Sequence, residues 1–231
     1  MTGGGNGVLV LVATPIGNLG DLSPRSIQAL ENADVIACED TRHTRKLLSH
    51  AGIHAKRLIS LHEHNETSQL NTILGLINRG SQVALVSDAG MPLISDPGER
   101  LVAKVISSGF TVSVVPGPSA VLGALVISGF GVGRFCFEGF LPRKGSARKK
   151  RLEVVAGEER TVLIFESPYR LTVTLMDLLD YCGRGRRVAV VKELTKLHEE
   201  IWRGSLEEVV HELSSKTIKG EYVIVLEGLD Q

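Results

Sequence analysis

The sequence has few aromatic residues, few cysteines and no excess of charge of either sign. Aromatic residues make up 4% of the 231, and Lys plus Arg balance Asp plus Glu at 26 each. So few aromatics argue against an extended platform for stacking single-stranded bases. The zero net charge does not require a polyanionic partner, although a local cluster of cations can still bind one.

The three cysteines, Cys38, Cys136 and Cys182, are widely spaced and form no C-x-x-C pair. This spacing excludes the usual zinc and dithiol motifs, and we expect the three thiols to be reduced and structural. Long hydrophobic runs are also missing. The longest, such as GVLVLVA and VLGALVISGF, are shorter than the roughly 18 to 20 residues of a membrane span. We therefore predict a soluble cytoplasmic protein with no membrane partner.

Short β-branched runs alternate with segments of helical periodicity, which favours βαβ units and a mostly parallel sheet. A hydrophobic content of 43% over 231 residues is sufficient for two small α/β domains. The turn-rich segment at 116–118 is our candidate boundary, and it gives predicted domains at 8–115 and 116–231. The first five predicted strands lie at 8–12, 35–37, 58–60, 83–86 and 111–115.

The loops that follow these five strands are rich in Gly, Pro, Asp and Ser. In an open parallel sheet, ligands bind at the carboxyl ends of the strands. Ordinary turn chemistry would explain any one of these loops, but five together favour a binding edge. In the fourth loop we expect Ser95 or Asp96 to cap the next helix, with Pro97 at its first position. The five loops read ATPIGNLGD, CEDTRHT, LHEHNE, SDAGMPLISDPG and PGPSA.

Two of these loops raise specific alternatives. ATPIGNLGD matches neither common phosphate-binding glycine motif, so a P-loop is disfavoured. HEH at 62–64 offers two imidazoles but no third ligand at a recognisable spacing, so we predict no metal. The acids, arginine and histidine of EDTRHT, at 39–44, fit either a capped helix with local ion pairs or a functional cluster.

A basic segment, RKGSARKKR at 143–151, carries six cationic side chains in nine residues. Such a run is either a solvated face or a surface that neutralises phosphates, and we name its cations as RNA-binding candidates. These are Arg143, Lys144, Arg148, Lys149, Lys150 and Arg151.

Several blocks of the sequence together resemble the small-subunit ribosomal RNA 2′-O-ribose methyltransferase I family. That family belongs to the tetrapyrrole-methylase-like, class III enzymes that use S-adenosylmethionine. The resemblance extends from Val8 to Gly228, and members usually carry a further small helical segment after the final strand. The blocks are ATPIGNLGDLSPRSIQAL, ACEDTRHTRKLL, SDAGMPLISDPG, VPGPSAVLGAL, FEGFLPRKG, FESPYRL and GEYVIVLEG.

The resemblance implies two α/β domains of the tetrapyrrole methylase type, with a mostly parallel N-terminal sheet and a mixed C-terminal sheet. It implies S-adenosylmethionine in the cleft between them, a homodimer, and methylation of a cytidine ribose 2′-hydroxyl in the decoding region of 16S ribosomal RNA. Tetrapyrrole methylases tend to have G-D-P-x-x-x-G where this sequence has S-D-A-G-M-P, which favours the ribosomal branch.

Matching the motifs residue by residue gives the cofactor contacts that the resemblance implies. From the N-terminal blocks they are Pro15, Ile16, Asp88, Ala89, Gly90, Met91, Pro92, Ser119 and Ala120. From the C-terminal blocks they are Phe165, Glu166, Leu194, Gly220 and Glu221.

For catalysis, our hypothesis is that Glu39, Asp40, Arg42 and Arg170 hold the target nucleotide. A weakly nucleophilic ribose hydroxyl benefits from a general base, and the sequence does not single one out. His43, Tyr169, Lys192, Glu193 and Glu166 remain further candidates, and salt bridges between domains would explain the same residues equally well. A small-molecule methyltransferase and a non-catalytic cofactor-binding or ribosome-associated factor are the alternative functions.

Overall fold

The computed structural model describes residues 7–54 and 56–229. Two compact units are present, Met1–Ser119 and Ala120–Gln231. The domain limits expected above, 8–115 and 116–231, stay a prediction.

In the first unit, the described residues form a five-stranded, all-parallel sheet with the order β3-β2-β4-β1-β5. The strands are rich in Val, Ile and Leu because both faces of the sheet are covered. Their bounds are β1 Val8–Val12, β2 Val35–Cys38, β3 Arg57–Ser60, β4 Gln82–Val86 and β5 Thr111–Val115.

Helices pack on both faces of this sheet, and each face has its own hydrophobic core. Ile73 and Leu101 belong to the core on one face, and Leu30 and Leu48 belong to the core on the other. A short 3-10 helix, Leu19–Asp21, follows β1. The α-helices are α1 Pro24–Asn32, α2 Thr41–His50, α3 Glu66–Asn78 and α4 Glu99–Ser107.

The second unit has a mixed sheet with the order β6-β7-β10-β8-β9, in which β6 and β7 are parallel and the other pairs are antiparallel. The predicted fold class, a parallel N-terminal and a mixed C-terminal sheet, is confirmed. The strands are β6 Phe135–Phe140, β7 Thr161–Glu166, β8 Arg187–Lys192, β9 Glu200–Ser205 and β10 Tyr222–Leu226. The helices are α5 Ala120–Ser128, α6 Gly145–Ala156, α7 Leu171–Cys182 and α8 Leu206–Ser214.

The predicted start of α4 is wrong. The helix begins at Glu99, and Gly98 rather than Ser95 or Asp96 occupies the capping position, with φ of 122°. A Cβ at Gly98 would lie 2.8 Å from Leu93 Cδ2, so the close packing requires glycine. The first-turn amides of Arg100 and Leu101 instead donate to the buried carboxylate of Glu66, at 3.0 and 3.2 Å.

Among residues 7–54 and 56–229, no helix is both long and apolar enough to cross a membrane. Cys38, Cys136 and Cys182 are all free thiols. Burial raises the pKa of each of them, which keeps the thiol protonated.

Candidate active site

The loops after β1 and β4 are hydrogen-bonded to each other at the carboxyl edge of the parallel sheet. Thr14 N donates to Gly90 O at 3.0 Å, and Gly90 N donates to Thr14 O at 3.1 Å. Two buried hydroxyls reinforce the pair, because Thr14 Oγ1 donates to Ser87 O and Ser87 Oγ donates to Gly90 O. The chain leaves β1 towards β2 and leaves β4 towards β5 on the opposite side. The paired loops therefore lie where the strand order reverses, which is where open α/β sheets bind ligands.

Gly90 permits the close approach of these loops. Its φ is +86°, and a Cβ there would lie 3.0 Å from Ile16 Cγ2 and 3.4 Å from Pro118 O. Gly117 is equally tight, because its Cβ would lie 2.8 Å from Ala13 Cβ. The loops after β1, β4 and β5 therefore meet, and they bring together the predicted residues of the first unit, from Pro15 and Ile16 to Asp88–Pro92 and Ser119.

Asp88 connects this edge to the loop after β2. Its Oδ1 accepts a hydrogen bond from Asp40 N at 3.2 Å. A cavity of about 200 Å³ opens beside it, which we name the β1–β4 cavity. Pro15, Asp88 and His43 were named from the sequence as candidates. The other lining residues lie in the same sequence blocks, but nothing in those blocks singled them out individually. The cavity is lined by Thr14, Pro15, Leu19, His43, Thr44, Lys46, Leu47, Ser87 and Asp88.

The second half of the β4–α4 loop is strained and acidic. Leu93 and Ser95 have φ of 75° and 65°, in the left-handed region that side chains other than glycine rarely adopt. Beside them lies a second cavity of about 310 Å³, the acidic cavity. Its lining residues are Glu39, Glu63, Glu66, Ser95, Asp96, Pro97, Gly98, Glu99 and Arg100.

Asp96 is therefore not a helix cap but a half-buried carboxylate facing other carboxylates. Burial raises its pKa to about 6, and the nearby charges of Glu39 and Asp88 add to the increase. Burial also raises the pKa of Glu39. The nearby charges of Asp88 and Asp40 raise it further, and the charge of His62 opposes the change. The sequence placed Asp96 in a standard capping pattern, and only the fold brings it to Glu39 and Asp88.

We predict that Asp96→Asn stabilises the protein above pH 6 by about 1 kcal/mol. The pKa of this carboxyl is about 6 in the folded protein against 3.8 in the unfolded chain. The protein therefore loses stability as the pH rises between these two values, because the buried group must ionise. The full shift corresponds to more than 2 kcal/mol, and we reduce it because solvent screens a half-exposed group. Urea unfolding at pH 4 and pH 7.5 measures the effect, with the exposed Glu31→Gln as control. An equal change at both pH values would contradict the prediction.

Asp40 and Arg42, predicted to hold the target nucleotide, form a local ion pair at the start of α2. Asp40 Oδ1 accepts from Arg42 N at 2.7 Å as the helix cap, and Asp40 Oδ2 accepts from Arg42 Nη2 at 2.9 Å. The Arg42 hydrogen bonds hold the pKa of Asp40 at about 2, which makes this carboxylate a poor proton acceptor. Glu39, with its raised pKa, is the better candidate, and the Arg42 side chain remains 84% exposed.

In the second unit, Glu166 and Arg170 form an ion pair at 2.9 Å. The fully buried Glu166 carboxylate accepts from Ser167 N, Arg170 Nε and Thr174 Oγ1 at 2.8, 2.9 and 2.6 Å. Arg170 Nη1 donates to Leu141 O at 3.1 Å. The predicted roles of Glu166 in cofactor binding and of Arg170 in nucleotide binding stay predictions, and the Arg170 side chain is 24% exposed. The neighbouring predicted residue, Phe165, packs edge-on against two other rings, Phe137 and Phe140.

Leu194, Gly220 and Glu221 lie together around a second strained loop. Glu193 and Thr195, on either side of Leu194, have φ of 50° and 67°. Glu193 Oε1 accepts from Glu221 N at 2.9 Å, and a Cβ on Gly220 would lie 2.7 Å from the Glu193 side chain. Of the three predicted residues here, Glu221 is hydrogen-bonded to Glu193, Gly220 packs against the Glu193 side chain, and Leu194 lies between the two strained residues. Lys192, another proton-transfer candidate, pairs with Glu200 at 2.6 Å.

Of the six basic candidates, Arg148 differs from the rest. Arg143, Lys144, Lys149, Lys150 and Arg151 are exposed. Arg148 is only 7% exposed and donates to Asp177, Thr174 and Pro142 O. Its guanidinium cannot contact a phosphate in this arrangement, because the α6–α7 packing covers it.

The histidines at 62 and 64 form an edge-to-face pair with ring centroids 6.1 Å apart. Within 7–54 and 56–229, no group of three or more His, Cys, Asp or Glu residues is arranged to hold a metal ion.

Known proteins resemble this chain both in fold and in sequence. Residues 8–210 match the family model of the tetrapyrrole (corrin/porphyrin) methylases. The solved structure of the methyltransferase CobJ superimposes with a TM-score of 0.71 at 20% identity, covering 97% of this chain and 95% of that one. At this identity the likeness shows the fold alone.

The similarity in sequence is higher to ribosomal RNA small subunit methyltransferase I. The Synechocystis protein of that name is 46% identical over 96% of this chain and 79% of its own length. The protein of that name from Mycobacterium tuberculosis (strain CDC 1551 / Oshkosh) is 48% identical over 96% of this chain and 78% of its own. The chain belongs to the tetrapyrrole methylases and, within them, to the ribosomal RNA small subunit methyltransferase I family.

Proposed function

We propose that this protein is an S-adenosylmethionine-dependent methyltransferase that acts on the ribose 2′-hydroxyl of a cytidine in the decoding region of 16S ribosomal RNA. The observation that carries the proposal is the sequence identity of 46% and 48%, over 96% of the chain, with two proteins named ribosomal RNA small subunit methyltransferase I. A cytoplasmic homodimer acting on the small ribosomal subunit is part of the same proposal.

The first-unit loops have features that fit S-adenosylmethionine. Gly90 keeps the β1 and β4 loops free of a side chain at their closest approach, so backbone can reach a ligand. Asp88 offers a carboxylate beside the β1–β4 cavity that suits hydroxyl or ammonium donors. When bound, the cofactor supplies a methyl group on a positively charged sulfur. The proposed contacts are Pro15, Ile16, Asp88, Ala89, Gly90, Met91, Pro92, Ser119, Ala120, Phe165, Leu194, Gly220 and Glu221. Glu166 is left out because its fully buried carboxylate is bonded to Arg170 and Thr174.

The residues of the β2–α2 loop supply the remaining chemistry. Glu39 is proposed to accept the proton of the 2′-hydroxyl through a carboxylate oxygen, since its raised pKa brings it nearer to neutral pH than Asp40. A positioned base typically contributes about 100-fold to 10,000-fold to rate. The exposed Arg42 guanidinium, oriented by Asp40, is proposed to contact a phosphate of the target nucleotide.

The exposed cations of the 143–151 segment are proposed to bind the phosphate backbone. Five exposed cations on one turn and one helix favour contacts to phosphate rather than to bases, in keeping with the small number of aromatics. Arg148 is left out of this surface because it is buried.

The proposal is tested by incubating the protein with methyl-labelled cofactor and 30S subunits from a strain that lacks the enzyme. We expect label on one cytidine ribose of 16S RNA, and at least a 100-fold lower rate for Glu39→Gln with cofactor affinity unchanged. Label on an added tetrapyrrole, and not on RNA, would instead support a small-molecule methyltransferase. Cofactor binding without transfer to either would support a non-catalytic factor.

A further inference from the structure

A short basic turn joins β6 to α6, and two arginines donate hydrogen bonds to backbone carbonyls at its start. We name Pro142, Arg143 and Lys144 the basic turn. Arg143 and Lys144 are exposed, and Lys144 is the residue that precedes α6. Arg148 Nη1 donates to Pro142 O at 3.0 Å, and Arg170 Nη1 donates to Leu141 O at 3.1 Å. Two successive carbonyls that lead into the exposed cations are therefore fixed by guanidinium groups.

Both guanidiniums are themselves held by carboxylates, through one connected network. Arg170 bonds to the fully buried Glu166 through Nε and Nη2. Arg148 bonds to Asp177 through Nε at 2.7 Å, and its Nη2 bonds to Thr174 Oγ1 at 2.9 Å. Thr174 Oγ1 donates to Glu166 Oε2 at 2.6 Å and so connects the two arginines. The network ties β7, α6 and α7 to the turn.

The charges of this network cancel, since two arginines face two carboxylates. It therefore has little attraction of its own for a phosphate, in contrast to Arg143 and Lys144. Burying an ion pair costs desolvation, and apolar packing of similar volume is often at least as stable. An apolar side chain could pack α6 on α7, but it could not donate to the carbonyls of the turn. The planar guanidinium does both, because its fork binds a carboxylate and a carbonyl at once.

We infer that Arg148 and Arg170 are positioning residues that fix the basic turn so that Arg143 and Lys144 meet RNA phosphates. This inference rests on the RNA substrate of the proposed function, and it gives these two arginines a role other than direct contact with RNA or nucleotide. A preorganised turn loses less conformational freedom on binding, which raises affinity without adding a contact.

A double-mutant cycle separates positioning from simple stabilisation of the fold. Four proteins are compared: the wild type, Arg148→Met, the Arg143→Ala/Lys144→Ala pair, and all three changes together. Affinity for purified 30S subunits is measured over a range of KCl concentrations, with cofactor affinity and thermal midpoint recorded for each. We expect the pair to weaken binding at least 10-fold and to reduce the salt dependence by about two phosphate contacts.

Arg148→Met alone should weaken RNA binding about 3- to 10-fold while cofactor affinity stays the same. When Arg143 and Lys144 are already removed, it should have less than a 2-fold further effect. Arg148→Lys should not restore binding, because lysine keeps the charge but lacks the fork. If Arg148→Met does not fold, Asp177→Asn, which loosens the same guanidinium without removing it, takes its place in the cycle.

Independent, multiplicative losses in the cycle would overturn the positioning role, as would restoration of binding by Arg148→Lys. If the Arg143→Ala/Lys144→Ala pair binds 30S subunits like the wild type, the proposed RNA surface is wrong as well. Methyl transfer to RNA by that same pair would then show that the proposed reaction survives without this surface.

Discussion

Replacing Asp88 by alanine is expected to lower the affinity for S-adenosylmethionine about 10- to 100-fold. A hydrogen bond to a charged group contributes about 1.5 to 3 kcal/mol, and each 1.4 kcal/mol changes a dissociation constant tenfold. Asp88 also accepts the bond from Asp40 N that links the β4 loop to the β2–α2 loop. Its loss should therefore disturb the placement of Glu39 and reduce turnover further than cofactor affinity alone.

Isothermal titration calorimetry with S-adenosylmethionine, alongside single-turnover rates on 30S subunits, measures both effects. Asp88→Asn is the informative companion, since its amide oxygen can still accept from Asp40 N while the negative charge is lost. We expect intermediate affinity for Asp88→Asn and wild-type affinity for Asp96→Asn, which changes an acid in the same loop. Unchanged binding in a folded Asp88→Ala protein would exclude Asp88 from the cofactor site.

The sequence was a good guide to the elements of the fold because local signals and burial agreed. Ser23 caps α1 with Pro24 at its first position, a pattern that can be read from the sequence because both residues act on backbone only a few residues away. The predicted start of α4 was wrong because the contact that decides it is not local. Ser95, Asp96 and Pro97 form a plausible local cap, yet the carboxylate that receives the helix amides belongs to Glu66, more than thirty residues earlier.

For the candidate site, the sequence predicted which loops would meet, but it did not predict which charged side chains would be exposed and which would be buried. The parallel strand pattern was sufficient to bring Pro15 and Asp88 to one edge, since the carboxyl ends of neighbouring parallel strands are adjacent. Charge alone could not separate Arg148 from Lys149, although one is buried and the other exposed. That difference depends on Asp177 and Thr174 of α7, which only the folded unit brings within reach.

The second large effect is expected for Glu166→Ala, which should lower the free energy of unfolding of the second unit by about 3 to 5 kcal/mol. Removing one partner of a buried ion pair leaves the other charge without compensation. Here the change leaves Arg170 beside a cavity, and it removes the acceptors of Thr174 Oγ1 and Ser167 N. Arg170 is already 24% exposed, so partial solvation limits the loss to the lower part of this range.

Trp202 provides a direct probe of this loss, because it is the one tryptophan of the chain and is buried in the second-unit core. Urea unfolding followed by its fluorescence should show the full effect for Glu166→Ala. Glu166→Gln, which retains an acceptor oxygen, should show a smaller effect, and the exposed Glu153→Ala should show almost none. A loss below about 1 kcal/mol would mean that water or Asp177 can replace Glu166 as the anchor of both arginines. The basic turn would then not depend on a fixed network, so this result would weaken the case for positioned Arg143 and Lys144 as well.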